Sequence, residues 1–262
     1  MPAFGFRTGI FGGLTTEQAA AELKRIGYDC VEICLEAPDV RPETLDEPRC
    51  RQLRAALDEI GIGLASLSYH ADREPFEQRR TNQERAVQAA HWMGVDILVL
   101  NPEKSVEQAR QWAEHVAHFE HLCALADRLG VTIAIEPEPL LVVGSSDDMA
   151  RLIDEVGSPR LGVNLDIGHA QITDDDLIAS IHKLGKNIVH LHLEDIKDRV
   201  HRHLPFGRGD IDFARVRRAL GDIGYAGPYV VDLFGQVDAQ GQTVPPGEVA
   251  ALALHGMKER FG

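Results

Sequence analysis

Short apolar runs alternate with longer amphipathic stretches along the whole chain, and the alternation repeats eight times. The runs are FGFR (4–7), CVEICL (30–35), LASLSY (64–69), DILVL (96–100), TIAIE (132–136), LGVNLD (161–166), IVHLHL (188–193) and YVVDLF (229–234). Each has the length and apolar density of a buried strand. Between them, apolar positions recur at helical spacing near 16–27, 48–60, 83–93, 106–129, 146–156, 175–184, 212–223 and 246–260. Thr15 with Gln18 three residues on predicts a capping box, and Ser145 with Asp148 a weaker one. Gly27, Gly61, Gly94, Gly130 and Gly224 stand where helices should stop, just ahead of the next strand. Eight βα units of this kind predict a parallel sheet, and the count favours an α/β fold closed into a single (β/α)₈ TIM barrel. The 262 residues match the roughly 250 that such a barrel uses. No Ser/Gly/Pro-rich linker interrupts the pattern, so 1–262 reads as one domain.

Composition narrows the partners. The formal net charge of −14 disfavours gripping a phosphate backbone, so no nucleic acid is expected and a small-molecule ligand is. No apolar stretch approaches the roughly 18 residues of a membrane span, and residues 1–20 lack a secretory pattern. Cys30, Cys34, Cys50 and Cys123 form no CxxC pair and read as reduced, buried thiols. These features together predict a cytoplasmic protein without a membrane partner. Neither a GxxxxGK loop nor a GxGxxG fingerprint argues for a nucleotide cofactor.

Candidate chemistry comes from polar residues on the strands. Barrel strands alternate inward and outward, and function sits at their C-terminal ends. With Ile133 and Ile135, Leu161, Val163 and Leu165, Val189, Leu191 and Leu193, and Tyr229, Val231 and Leu233 facing the helices, the opposite parity points inward. It brings Glu136, Asn164, Asp166, His190, His192 and Asp232 toward the barrel axis. Glu136, Asp166, His192 and Asp232 then share one rim. Parity alone does not choose between His190 and His192; the more C-terminal His192 is the better placed. Three converging carboxylates would repel one another unless a cation sits among them. A Glu/Asp/His/Asp shell suits Mn²⁺ first, with Mg²⁺, Co²⁺ or Zn²⁺ also compatible. Glu32 on the second strand also reads as inward, structural or substrate-contacting.

The motifs IEPEP (135–139), NLDIGHA (164–170), HLHLED (190–195), LPFGRGDIDF (204–213) and IGYAGPYVVDL (223–233) follow one another in order. As an ordered set they resemble the xylose isomerase-like TIM barrel superfamily, the sugar phosphate isomerases and epimerases that also include endonuclease IV. The resemblance implies metal ligands Glu136, Asp166, His192 and Asp232, with Asp at the last position where the family has Glu. It implies a substrate-binding His169, and a basic residue after the seventh strand, Arg199 with Lys197 as the competing assignment. His70, at the end of the third strand, is a further substrate-binding candidate. His201 and His203 are read as loop histidines near substrate or in solvent. Asn101 stands where a trinuclear zinc centre would need another histidine, which with the acidic charge counts against DNA repair.

What the resemblance implies chemically is proton transfer beside a carbonyl. Glu136 would remove the proton, and Asp232 or its bound water would return it. The leading expectation is therefore an enzyme, a metal-dependent isomerase or epimerase of a small keto-sugar or related polyol, working through an enediolate. Alternatives are a lyase that dehydrates a keto-polyol or dehydroshikimate-like acid, and a non-catalytic barrel subunit. Related barrels are often dimers or tetramers, so a homo-oligomer is compatible. The charged segment 70–85 reads as a loop, either a solvated one or a lid over the substrate. Polar residues 235–242 lie on the catalytic side, and Trp92 and Trp112 read as packing residues.

Overall fold

Eight parallel strands pair in sequence order, and the last pairs with the first to close the barrel. The computed structural model describes residues 2–71, 74–105, 108–237 and 240–262. The strands are β1 (Phe4–Arg7), β2 (Cys30–Cys34), β3 (Gly63–Tyr69), β4 (Ile97–Leu100), β5 (Thr132–Ile135), β6 (Leu161–Asp166), β7 (Ile188–Leu193) and β8 (Tyr229–Val231). The helices are α1 (Thr16–Ile26), α2 (Glu47–Ile60), α3 (Phe76–Met93), α4 (Gln108–Leu129), α5 (Ser146–Val156), α6 (Ile167–Thr173), α7 (Leu177–Leu184), α8 (Phe213–Asp222) and α9 (Pro246–Phe261). Among the described residues, no helix is long and apolar enough to cross a membrane.

Local chemistry explains the boundaries. Thr15 Oγ1 accepts the Gln18 N–H while the Gln18 side chain accepts the Thr15 N–H, a reciprocal cap that starts α1. Ser145 caps α5 by accepting the Asp148 N–H. Gly27 and Gly61 end α1 and α2 at φ 111° and 74°, a left-handed geometry that strains any residue with a Cβ.

Two features depart from the pattern read in the sequence. The described part of the segment read as a loop or lid is helical from Phe76, because α3 starts there; residues 72–73 lie outside the described residues. The apolar period hid this start, since α3 buries Arg79, Asn82 and Gln83. A short helix, α6, also follows β6 directly, where no helix was expected.

The polar interior of the α3–α4 contact has a measurable consequence. His118 Nε2 lies 2.6 Å from Gln83 Oε1, and His115 accepts the Glu103 N–H at Nε2 while facing the Gln111 carbonyl through Nδ1. Burial pushes His115 down to about 4 and His118 to about 3. Both are depressed below the unfolded value, so their contribution to stability is complete above about pH 6.5 and is lost as pH falls toward 3–4, on the order of 3 kcal/mol each. Imidazole NMR titration should find both rings neutral down to about pH 5; midpoints near 6.5 would contradict this packing. Trp112 packs as expected, donating from Nε1 to Glu155 at 2.8 Å beneath the Arg151 guanidinium.

Candidate active site

The strand ends bring Glu136, Asp166, His192 and Asp232 together, with one potential ligand atom from each lying within 4.8 Å of the others. All four are buried. Backbone register settles which histidine joins them. Asp166 pairs with His192 and Asn164 with His190, so His190 lies one layer deeper. There, His190 Nε2 faces Glu32 at 3.0 Å and Ser66 at 3.1 Å.

Glu32 is the hub beneath the rim. Its carboxylate accepts from Ser66 Oγ at 2.6 Å, meets Arg7 Nε at 2.8 Å and faces His192 Nε2 at 3.1 Å. It is fully buried, as are the four residues of the rim cluster above it. A carboxylate behind a ligand histidine fixes its ring and raises its basicity. His192 Nδ1 then points the other way, 3.0 Å from Glu136 Oε2 and 3.9 Å from Asp232 Oδ2. Burial works against protonation of His192, but Glu32 and Glu136 outweigh it and hold its pKa well above the usual histidine value.

Glu136 sits at the centre of the donors. Asn164 Nδ2 donates to it at 2.7 Å, His70 Nε2 lies at 3.4 Å and His169 Nδ1 at 3.3 Å. Burial alone would raise its pKa, but His192 and His70 bring it down to about 2, so it is ionised. Asp166 caps α6, accepting the His169 N–H at 2.7 Å through Oδ1, while its Oδ2 has no partner. Asp232 accepts from Arg7 Nη1 at 2.7 Å. Burial raises its pKa too, but Arg7 and then His203 and His192 leave it below the usual carboxylate value. Carboxylate oxygens and an imidazole nitrogen thus converge within 4.8 Å, and one of the cluster's oxygens has no hydrogen-bond partner. That donor set fits a divalent cation bound by oxygen and imidazole.

Of the substrate-binding candidates, His70 and His169 reach the centre. Arg199 does not: its guanidinium donates to the carbonyls of Ile172 and Asp174, at 2.7 and 2.9 Å, on an exposed surface. Lys197 is exposed as well. His203 is buried rather than in solvent and faces the Asp232 carbonyl through Nδ1 at 2.9 Å; exposed His201 lies 3.0 Å from His169, between the two Nε2 atoms.

Sequence reading missed Glu194 and Arg7. Glu194 is fully buried within ligand distance of Asp166 and His203, and burial with Asp166 alongside pushes its pKa well above the usual value. The parity that selects His190 and His192 also selects residue 194, so its signal was present. A Cβ on Gly168 would overlap the Glu194 carboxylate, which explains the glycine in NLDIGHA. Asp195 next to it ties down the following loop, accepting the N–H groups of Gly207 and Gly209 at 2.9 Å.

A cleft of about 550 Å³ opens beside this centre. Arg7, His70 and Asp232 line it, together with residues 8–16, Glu36, Arg41, Glu74 and Phe234 among others.

Three comparisons bear on this arrangement. The family profile described as xylose isomerase-like TIM barrel matches residues 20–259. The L-ribulose-5-phosphate 3-epimerase UlaE of Escherichia coli (strain SMS-3-5 / SECEC) is 26% identical over 230 residues, 81% of this chain and 80% of that one. Among solved structures, D-psicose 3-epimerase from Clostridium cellulolyticum H10 superimposes with a TM-score of 0.80 at 17% identity, covering 99% of each chain. The probable 3-DHS dehydratase AsbF of Bacillus anthracis gives 0.81 at 14% identity, covering 98% of this chain and 99% of that one. At such identities the two structures establish a shared fold.

Proposed function

This chain belongs to the xylose isomerase-like TIM barrel family, and from that premise we propose that it is a divalent-metal-dependent epimerase of small ketoses. The observation that carries the reading is the buried Glu136–Asp166–His192–Asp232 cluster at the barrel rim. The 3-epimerase among its sequence relatives supports the same reaction class.

Glu136, Asp166, His192 and Asp232 would hold the ion, Mn²⁺ being the first candidate. When bound, it polarises the substrate carbonyl and acidifies the neighbouring C–H. The remaining chemistry belongs to the side chains. Glu136 takes the proton from the carbon beside the carbonyl and leaves an enediolate. Asn164 holds the Glu136 carboxylate from one side. His70 and His169 flank it and bind the substrate oxygens. A water held by Asp232 gives a proton to the opposite face of that carbon, which inverts the centre, and the proton on Glu136 neutralises the hydroxide left behind. Glu32 keeps the His192 ring in place and excludes water from beneath it.

Elimination is the second reading, and one contact favours it. Arg7 holds Asp232 by a charge-assisted hydrogen bond of 2.7 Å, so a reaction that needs only one base and a departing hydroxyl would use Glu136 alone. Incubation of the Mn²⁺-supplemented protein with ketohexoses and ketopentuloses in D₂O separates the two. Deuterium at the carbon beside the carbonyl, with inversion there, is expected. Loss of water assigns the chain to the lyases, and no exchange with any ketose or with its phosphate ester contradicts the epimerase reading.

A further inference from the structure

We infer that the substrate is an uncharged ketose whose far end is bound through hydroxyl groups and C–H faces, and is not a phosphate ester. This inference rests on the epimerase reading above. It comes from the cleft beyond the reacting centre, where the charged residues are already committed to one another.

Two arginines line the cleft among its described residues. Arg7 is buried, with Nε on Glu32 at 2.8 Å and Nη1 on Asp232 at 2.7 Å. Arg41 is shared between Glu43, at 3.0 Å, and Glu74. Neither presents the open fork that phosphate recognition uses. The start of α1, which also lines the cleft, is closed in the same way. Three of its N–H groups are taken, those of Thr15 and Gln18 by their reciprocal box and that of Thr16 by Asp39 at 2.8 Å. An anion there would find the N–H groups of Thr15, Thr16 and Gln18 already taken.

Acceptors face the cleft instead. Glu36 accepts the backbone N–H groups of His70 and Ala71 through Oε1, leaving Oε2 for a ligand hydroxyl. Glu74 is held by Tyr69, Asn82 and Arg41. Leu14 and Phe234, 44% and 57% exposed, supply an apolar rim. Carboxylates accept sugar hydroxyls well, and an apolar side chain covers the C–H face of a sugar. A dianionic phosphate brought to the same place would meet two carboxylates and lose its water.

The test compares kcat/KM for free ketoses and for their terminal phosphate esters, read as deuterium uptake by the Mn²⁺-supplemented protein. Like-charge opposition of this kind predicts a preference for the free sugar of about 100-fold or more. Equal or better turnover of the phosphate esters would overturn the inference while leaving the epimerase reading standing. Exchange with neither set would bring down both. A Glu74→Gln variant adds a second readout, because the amide can keep the Tyr69 and Asn82 contacts while releasing Arg41 from one carboxylate. The ester-to-free-sugar ratio of kcat/KM should rise about tenfold, through a lower KM for the ester. An unchanged ratio in a folded variant would contradict the part given to this ion pair.

Discussion

Glu136→Gln is expected to lower kcat for deuterium exchange by about 10²- to 10⁴-fold, the range over which a positioned general base acts. The amide keeps nearly the same shape and can still accept from Asn164, so the fold should persist. What it loses is the basic carboxylate oxygen, together with one anionic donor to the cation. Exchange rates paired with circular dichroism separate the two effects. A folded variant that exchanges at the native rate would remove Glu136 from the role of base.

Arg7→Met should produce the largest loss of stability. Arg7 joins β1 to both neighbours at the closure of the barrel, through Glu32 on β2 and Asp232 just after β8. Removing it strands two carboxylates in the interior, at a cost of about 3–5 kcal/mol. In a chain of this size that corresponds to a Tm lower by on the order of 10 °C. Adding Glu32→Gln to the same variant removes one of the stranded charges and should recover part of the loss. Native-like melting of Arg7→Met would show that the pair contributes little.

The two residues in these experiments were not equally legible. Glu136 ends an apolar run with clear alternation, and Asp166 and Asp232 follow from the same rule on their own strands. The choice between His190 and His192 needed the pairing register of β6 with β7, which a single chain's pattern does not contain. Arg7 was invisible for a related reason. It closes a four-residue run as a lone charge, and its partner Asp232 lies 225 residues away in sequence. Its inward direction follows from alternation with Phe4 and Phe6, but its partners follow only from closure of the barrel. Glu194 was available to the period-two rule but lay one residue past the run that was read as a strand. The start of α3 was hidden by buried polar residues that interrupt the apolar spacing. Arg199 shows the limit of reasoning from position within a loop. It and Asp198 adopt φ of 55° and 53°, and its guanidinium bonds the carbonyls of Ile172 and Asp174. No alternation rule sets a direction there.

Metal content measured alongside deuterium exchange on the same preparation decides whether the rim cluster holds the ion on which exchange depends. Protein dialysed against a chelator and reloaded with Mn²⁺ should retain one ion in the Glu136–Asp166–His192–Asp232 cluster, lose exchange when stripped and regain it on reloading. In an Asp166→Asn variant both retention and exchange should fall together, because that side chain supplies the unpartnered oxygen of the cluster. Full exchange by protein that holds no stoichiometric divalent ion would contradict the account.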